Sequence, residues 1–294
     1  MPESMSNDKP AIMSLSYEAI CRLFADEAIP LAGNIAFRTL FSVFPFLIFL
    51  TALAGFFGNE NLAEQVVNFL LSVAPEQIVR PLASEIHSIL TVPRTDLLSV
   101  SALLTIWSAM AGVDSVRVGL NRAYDLKEHR NLFWLYGQSI VFIIGSAAAL
   151  LMVAVLIVFA PVAMAAIDRF APAFNDNISA LSYLRFPIAI ILLTGGLLLS
   201  HRILPARRLH TKEILPGVLL TVAVWLALAG LFSVYLVNFN TFASTYASLS
   251  GLFAAMFFLY LAALVLILGG EVNRVLQIHR TLDLTPKIPD LEAK

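Results

Sequence analysis

The chain has 294 residues, 59% of them hydrophobic and only 13% charged, with a mean hydropathy of +0.83 and a formal net charge of −1. Soluble domains carry about 25% charged residues, so this chain cannot coat a globule of its own size and takes lipid as solvent over much of its surface. The near-zero charge excludes the usual footprint of a nucleic-acid binder, and the single cysteine, Cys21, excludes an intrachain disulfide and a cysteine-based metal site.

The first ten residues are polar, and no basic region is followed at once by an apolar run, so the first 30 residues do not read as a cleavable signal peptide. Residues 14–28 predict a short amphipathic helix on the membrane surface, with Ile20, Leu23 and Phe24 on one face. Six apolar segments follow, at about 31–57, 97–113, 136–160, 184–199, 216–237 and 249–270. Pro45 falls inside the first and is expected to kink it, because proline lacks the N–H of the helical ladder. Asp96 is placed to cap the second, whose Ser101, Thr105, Ser108 and Gly112 share a face suited to close helix contact. Pro187 is expected in the first turn of the fourth, and Pro216 at the first helical position of the fifth. In the sixth, Gly251, Ala255, Ala262 and Gly269 form a second small-residue packing face. Between the first two segments, Leu62, Val66, Phe69 and Val73 fit one helical stripe, and Ile78, Leu82, Ile86 and Ile89 another after Pro75. These predict two amphipathic helices on the outer face, which either cap the bundle or form a lid over a vestibule.

The Lys/Arg distribution sets the orientation. Fourteen of the nineteen fall in the N-terminal segment, the second–third and fourth–fifth connections and the C-terminal tail, and three (Arg80, Arg94, Arg169) fall on the other side. Both termini are therefore expected in the cytoplasm. The predicted organisation is a cytoplasmic N-terminal segment with an interfacial helix (1–30), a six-span membrane domain (31–276) and a cytoplasmic tail (277–294), an all-α polytopic fold.

Inside the first span, Asn34, Arg38 and Ser42 recur every four residues and form one polar stripe. An arginine at mid-span costs roughly 2.5–3.5 kcal/mol on insertion scales, so the stripe is expected to face protein or water. Arg38 lies about 10 Å from the start of the span at 1.5 Å per residue. It either snorkels to the interface or pairs inside the bundle, with Glu271 the first candidate partner and Asp114 the second. Asn34, Arg38, Ser42 and Glu271 are thus a candidate polar seam. Arg117, Asn121 and Arg122 after the second span, and Arg207 and Arg208 after the fourth, are candidate lipid-headgroup ligands, since clustered cations beside a span attract anionic phosphates. Their alternative is a solvated loop that obeys the charge bias. None of the five histidines stands at metal-ligand spacing, and neither a phosphate-binding P-loop nor a G-x-S-x-G elbow is present. No metal, no cofactor and no enzymatic activity are expected.

Four stretches taken together resemble the YihY/virulence factor BrkB family: IAFRTLFSVFPFLIFL, IWSAMAGVDSVRVGLNRAYD, LPGVLLTVAVWLALAGLFSVYLVNF and TYASLSGLFAAMFFLYLAALVLILGGEVN. The matching elements are Ala36, Phe37, Ser42 and Pro45; Trp107 and Ser108; Leu120–Tyr124; Pro216 and Gly217; and Gly269, Glu271 and Asn273. Tyr246-Ala247 departs from the Tyr-Gly frequent in that family. The resemblance implies a six-helix protein of the bacterial inner membrane, connected in some relatives with movement of lipids or lipopolysaccharide precursors. Members long carried the label ribonuclease BN, which the absence of a metal cluster and of a basic RNA-stacking surface disfavours here. The expected function is transport or flipping of lipids or other amphiphiles, with membrane lipids as partners and no nucleic acid. The alternative is a non-transporting scaffold for envelope proteins, and homo-oligomers or envelope-protein partners stay open.

Overall fold

The computed structural model describes residues 12–73, 83, 86–92, 95–154, 175–239 and 247–284. All regular structure among them is helical: α1 (Ile12–Ala25), α2 (Ala28–Phe57), α3 (Glu60–Val73), α4 (Thr95–Ala123), α5 (Leu132–Ala154), α6 (Asn175–Ile203), α7 (Thr211–Phe239) and α8 (Ala247–Leu284). Five stretches are long and apolar enough to cross a bilayer: Ala28–Phe57, Asp96–Ala123, Leu132–Ala149, Thr211–Tyr235 and Gly251–Thr281. Pro187–Ile203 adds a sixth, shorter apolar stretch at the end of α6. Large apolar side chains such as Leu103, Val141, Ile191, Leu231 and Phe253 are exposed, while Glu271, Asn273, His201 and Thr221 are buried. That inversion is what a hydrocarbon solvent selects, because buried polar groups find partners only inside the protein. The protein is an all-α polytopic membrane protein.

Several helix ends differ from the sequence expectation. The second span does not stop at residue 113: α4 continues to Ala123 and closes in a Schellman motif. Asp125 takes a left-handed φ of 53°, Asp125 N–H donates to Arg122 O (3.0 Å), and Leu126 N–H donates to Asn121 O (2.8 Å). Arg117, Asn121 and Arg122 therefore belong to a helix, not a loop. Asn131 caps α5, its Oδ1 accepting from Trp134 N–H at 2.9 Å, so this helix starts ahead of the predicted residue 136. α6 begins at Asn175 and α7 at Thr211, which leaves Pro187 and Pro216 inside their helices instead of in the first turn. The start of α7 is set by Glu213, whose carboxylate accepts from His210 N–H at 3.2 Å, half of a capping box. α2 runs through Pro45 without interruption.

The chain forms two compact units. In the unit Phe37–Gly112, the end of α2 meets the segment after α3 at close quarters. A Cβ on Gly55 would lie 2.6 Å from Ile89 O, and one on Gly58 would collide with Leu90 O. Ser101 and Ser108 are buried, as the shared polar face of this helix suggested, and each hydroxyl donates to a carbonyl of its own helix. The first predicted outer stripe falls on α3. In the second, residues 86–91 are helical, and Ile78 and Leu82 lie outside the described residues.

The other unit joins Met1–Ala36 to Val113–Lys294. Its core has two parts. Leu120, Leu197, Leu204, Ile214, Val218 and Leu266 pack around Tyr124, and Leu23, Ala28, Ala32, Ile35, Ala123 and Ile267 pack beside them. α7 and α8 cross at Gly217 and Gly269. A Cβ on Gly217 would collide with Gly269 O, and a Cβ on Gly270 would sit 2.9 Å from the Ala123 methyl of α4. The glycine pair thus receives α7 on one side and α4 on the other. Gly251 is exposed with open space around it, so the predicted small-residue face of α8 makes no close contact at that position.

Candidate functional site

Two features occur in the larger unit: a buried polar cluster where the ends of α4, α6 and α7 meet Asn273 of α8, and an apolar cleft lined by α4 to α8. Asn273 is the hub of the cluster and is fully buried. Its Oδ1 accepts from Gly217 N–H at 2.6 Å, and its Nδ2 donates to Ile214 O and to Tyr124 Oη, both at 2.9 Å. With the amide donating to the phenol oxygen, the Tyr124 proton is free for His201 Nδ1, 2.7 Å away. That leaves His201 Nε2 to carry the ring proton, buried and without a partner among the described residues. Burial holds the Tyr124 hydroxyl above its ordinary pKa, so it stays protonated. One amide and one phenol therefore tie four helices together.

On the other side of α8, Glu271 is fully buried and takes Arg22 from α1, Nε to Oε2 at 3.2 Å. Asp26 stands 3.7 Å from the same guanidinium and 3.8 Å from Arg122 Nε. Glu271 Oε1 has no hydrogen-bond partner among the described residues. A second α1–α8 contact joins His279 Nε2 to Glu18 at 2.9 Å. Hence α1 is docked against α8 through Ala19, Leu23 and these polar pairs, with Leu23 facing protein while Ile20 and Phe24 stay exposed.

The residues proposed from sequence separate into distinct roles. The cation set on Glu271 is Arg22, where the sequence had offered Arg38; the α1–α2 turn, with Glu27 at φ 57°, brings Arg22 there. Arg38 itself donates to Ala111 O at 3.1 Å within the smaller unit. Asn34 is exposed, and Ser42 donates to Thr39 O of its own helix at 2.7 Å. Arg117 is not presented to a headgroup. It is buried, donating to Asp114 (2.9 Å), Ser139 Oγ (2.7 Å) and Leu135 O (3.1 Å), because its position on α4 faces α5. Asn121 is also buried: its Oδ1 accepts from Ala206 N–H at 2.7 Å and its Nδ2 donates to Glu128 at 3.2 Å, which clamps two connections together. Arg130 locks that clamp, with 2.6 Å to Glu128 and 2.8 Å to Leu204 O. The Arg130 hydrogen bonds hold the Glu128 carboxyl down at about 2. Arg122, Arg207 and Arg208 are exposed at the surface, Arg122 with Asp26 3.8 Å from its Nε.

The cleft encloses about 590 Å³ and is lined by all five helices from α4 to α8, among them Val116, Phe142, Leu193, Gly196, Trp225 and Leu266. The two hydroxyls on its wall, Ser146 and Ser200, donate to Ile143 O and Leu197 O of their own helices. Trp225 turns its indole N–H to Ala262 O at 2.9 Å. The wall therefore offers an occupant carbon surface and almost nothing to hydrogen-bond. Ser200 at its edge adjoins His201 of the polar cluster. The sequence does not single out His201 or Arg22, and Tyr124 enters only as the last residue of the family element Leu120–Tyr124; a histidine at the end of an apolar run is the available signal for the first.

The virulence factor BrkB family matches residues 19–291. The chain is 27% identical over 270 residues to the ribonuclease-like protein YfkH of Bacillus subtilis (strain 168), covering 92% of this chain and 98% of that protein. It is 24% identical over 275 residues to a UPF0761 membrane protein of Tolumonas auensis, covering 91% and 88%. No solved structure matches. Tyr124, Gly217 and Asn273 lie far apart in sequence and meet at this one site, Gly269 packs against Gly217 beside it, and the match runs over nearly the whole chain: it belongs to the virulence factor BrkB family of integral membrane proteins.

Proposed function

We propose that this protein moves lipids or other amphiphiles across the bacterial inner membrane, acting as a carrier or scramblase and not as an enzyme. The observation that carries this reading is the apolar cleft among α4 to α8, of a size common for ligand sites and with its wall hydroxyls already bonded. An alkyl chain suits such a wall; water does not, because a buried water needs two to four polar partners. Exposed Arg122, Arg207 and Arg208 supply cations for the phosphate that accompanies the chain. The same arginine-bearing end is the one that the positive-inside bias assigns to the cytoplasm, with both termini there. The word ribonuclease in one relative's name finds little to support it here: net charge is −1, and no group of three metal-ligating side chains occurs among the described residues.

The test is lipid scrambling in proteoliposomes with fluorescent phosphatidylglycerol and phosphatidylethanolamine. Wild-type protein is expected to exceed protein-free vesicles. Gly196 lines the cleft and has open space where a Cβ would go, so Gly196→Trp is expected to fill the cleft and abolish the gain while the helix content stays unchanged. Rates equal to those of empty vesicles for every lipid class, or full activity in Gly196→Trp, would overturn the proposal.

A further inference from the structure

α1 sorts its side chains in the reverse of a soluble amphipathic helix. From Met13 to Ala25 its two charged residues, Glu18 and Arg22, turn toward α8, where they meet His279 and Glu271 at 2.9 and 3.2 Å. Ala19 and Leu23 are buried between them. The residues left outward include Met13, Tyr17, Ile20 and Phe24, exposed by 85%, 71%, 47% and 63%. Their 4-3-4 spacing makes one continuous apolar stripe along the helix. The stripe itself carries no charge, and the two charged side chains beside it are only partly exposed, Arg22 by 26% and Glu18 by 39%. Water around that face would meet more apolar surface than a solvated helix tolerates, and the helix spends both of its charges on partners in α8.

We propose that α1 is an interfacial anchor whose Met13–Tyr17–Ile20–Phe24 stripe lies in the headgroup–acyl boundary of the bilayer. The occupant follows from continuity as well as from charge sorting. Only Asp26 and Glu27 separate α1 from α2, a helix of membrane-spanning length, and Ile29 at the start of α2 is itself exposed. The outward face of α1 thus continues the lipid-facing surface of the first span. Tyr17 suits this position, with an apolar ring and a polar tip. Lipid on one face and the Arg22–Glu271 and Glu18–His279 pairs on the other clamp the helix, so that losing the lipid contact loosens the cation on buried Glu271. This anchor does not depend on what the cleft carries.

The chain provides its own probe, since its single cysteine, Cys21, is exposed and adjoins Ile20 on this outward side. A nitroxide on Cys21 in phosphatidylethanolamine–phosphatidylglycerol vesicles should be reached several-fold more readily by oxygen, which partitions into lipid, than by a water-soluble nickel chelate. Ile20→Asp/Phe24→Asp should reverse that preference with the protein still monodisperse. If that variant does not fold, the wild-type measurement stands alone. A wild-type label that favours the nickel chelate would overturn the proposal by placing the stripe in water. A label shielded from both reagents, with dipolar broadening, would overturn it in favour of a second copy of the chain as the cover.

Discussion

The crossing of α7 and α8 gives the sharpest test of the packing. A Cβ at Gly217 would overlap the carbonyl oxygen of Gly269 and stand 2.6 Å from Asn273 Nδ2 and 2.7 Å from its Cγ. Neither neighbour yields cheaply: one is backbone, and the other is a side chain already held by Gly217, Ile214 and Tyr124. Forcing the helices apart costs about 1–3 kcal/mol by overpacking. Straining or breaking the buried Asn273 bonds adds about 1–3 kcal/mol. Alanine's better helix propensity returns about 1 kcal/mol. The net expectation for Gly217→Ala is a loss of about 3 kcal/mol. Gly230 on the same helix is the control, since a Cβ there meets nothing within 4 Å. Gly230→Ala is expected to be neutral or to stabilise by up to about 1 kcal/mol. Thermal melts in detergent, followed by fluorescence-detected size exclusion, should rank Gly217→Ala below wild type and Gly230→Ala at or above it. Equal melting temperatures for the two variants would refute the close crossing.

Three further outcomes are expected. Arg22→Ala strips a fully buried carboxylate of its cation, at about 2–3 kcal/mol for a charged hydrogen bond; in a double-mutant cycle with Glu271→Gln, measured by denaturation in detergent, the two changes should fall short of additivity by more than about 1 kcal/mol. Glu128, held down at about 2 by Arg130, contributes stability that is complete above the ordinary carboxylate pKa of 4.5 and is lost as pH falls from there through about 2. The gap in melting temperature between wild type and Glu128→Gln should therefore be full at pH 6 and shrink progressively below pH 4.5. Glu27 sits at φ 57° and is exposed, so Glu27→Gly removes left-handed strain and should raise stability by about 1 kcal/mol in the same assay.

The class of fold was legible because hydropathy is a one-dimensional property. A run of apolar residues long enough to span hydrocarbon declares itself whatever its neighbours do. Helix ends were less legible. Capping by Asn131 and Glu213, and the left-handed turn at Asp125, depend on local geometry that an apolar count does not register, so the second, third and fifth spans extend past their predicted limits. Charge at the ends of spans was legible as a bias and not as a set of contacts. Arg117 and Arg122 look equivalent in the sequence, yet five residues on α4 turn one into the protein and leave the other outside.

What the sequence by itself determined is that lipid is the solvent, that helices cross it, and which short motifs mark the family. These follow from composition, periodicity and residue order. The tertiary structure decided which motifs meet: Asn273 with Tyr124, Ile214 and Gly217, and Glu271 with Arg22. It also decided that the cleft is walled by α4 to α8 while the arginine of the first span donates to Ala111 O. The physical reason is that a buried polar group must find its partner across space, and several partners along the chain satisfy that need equally well until packing brings one of them within hydrogen-bonding distance.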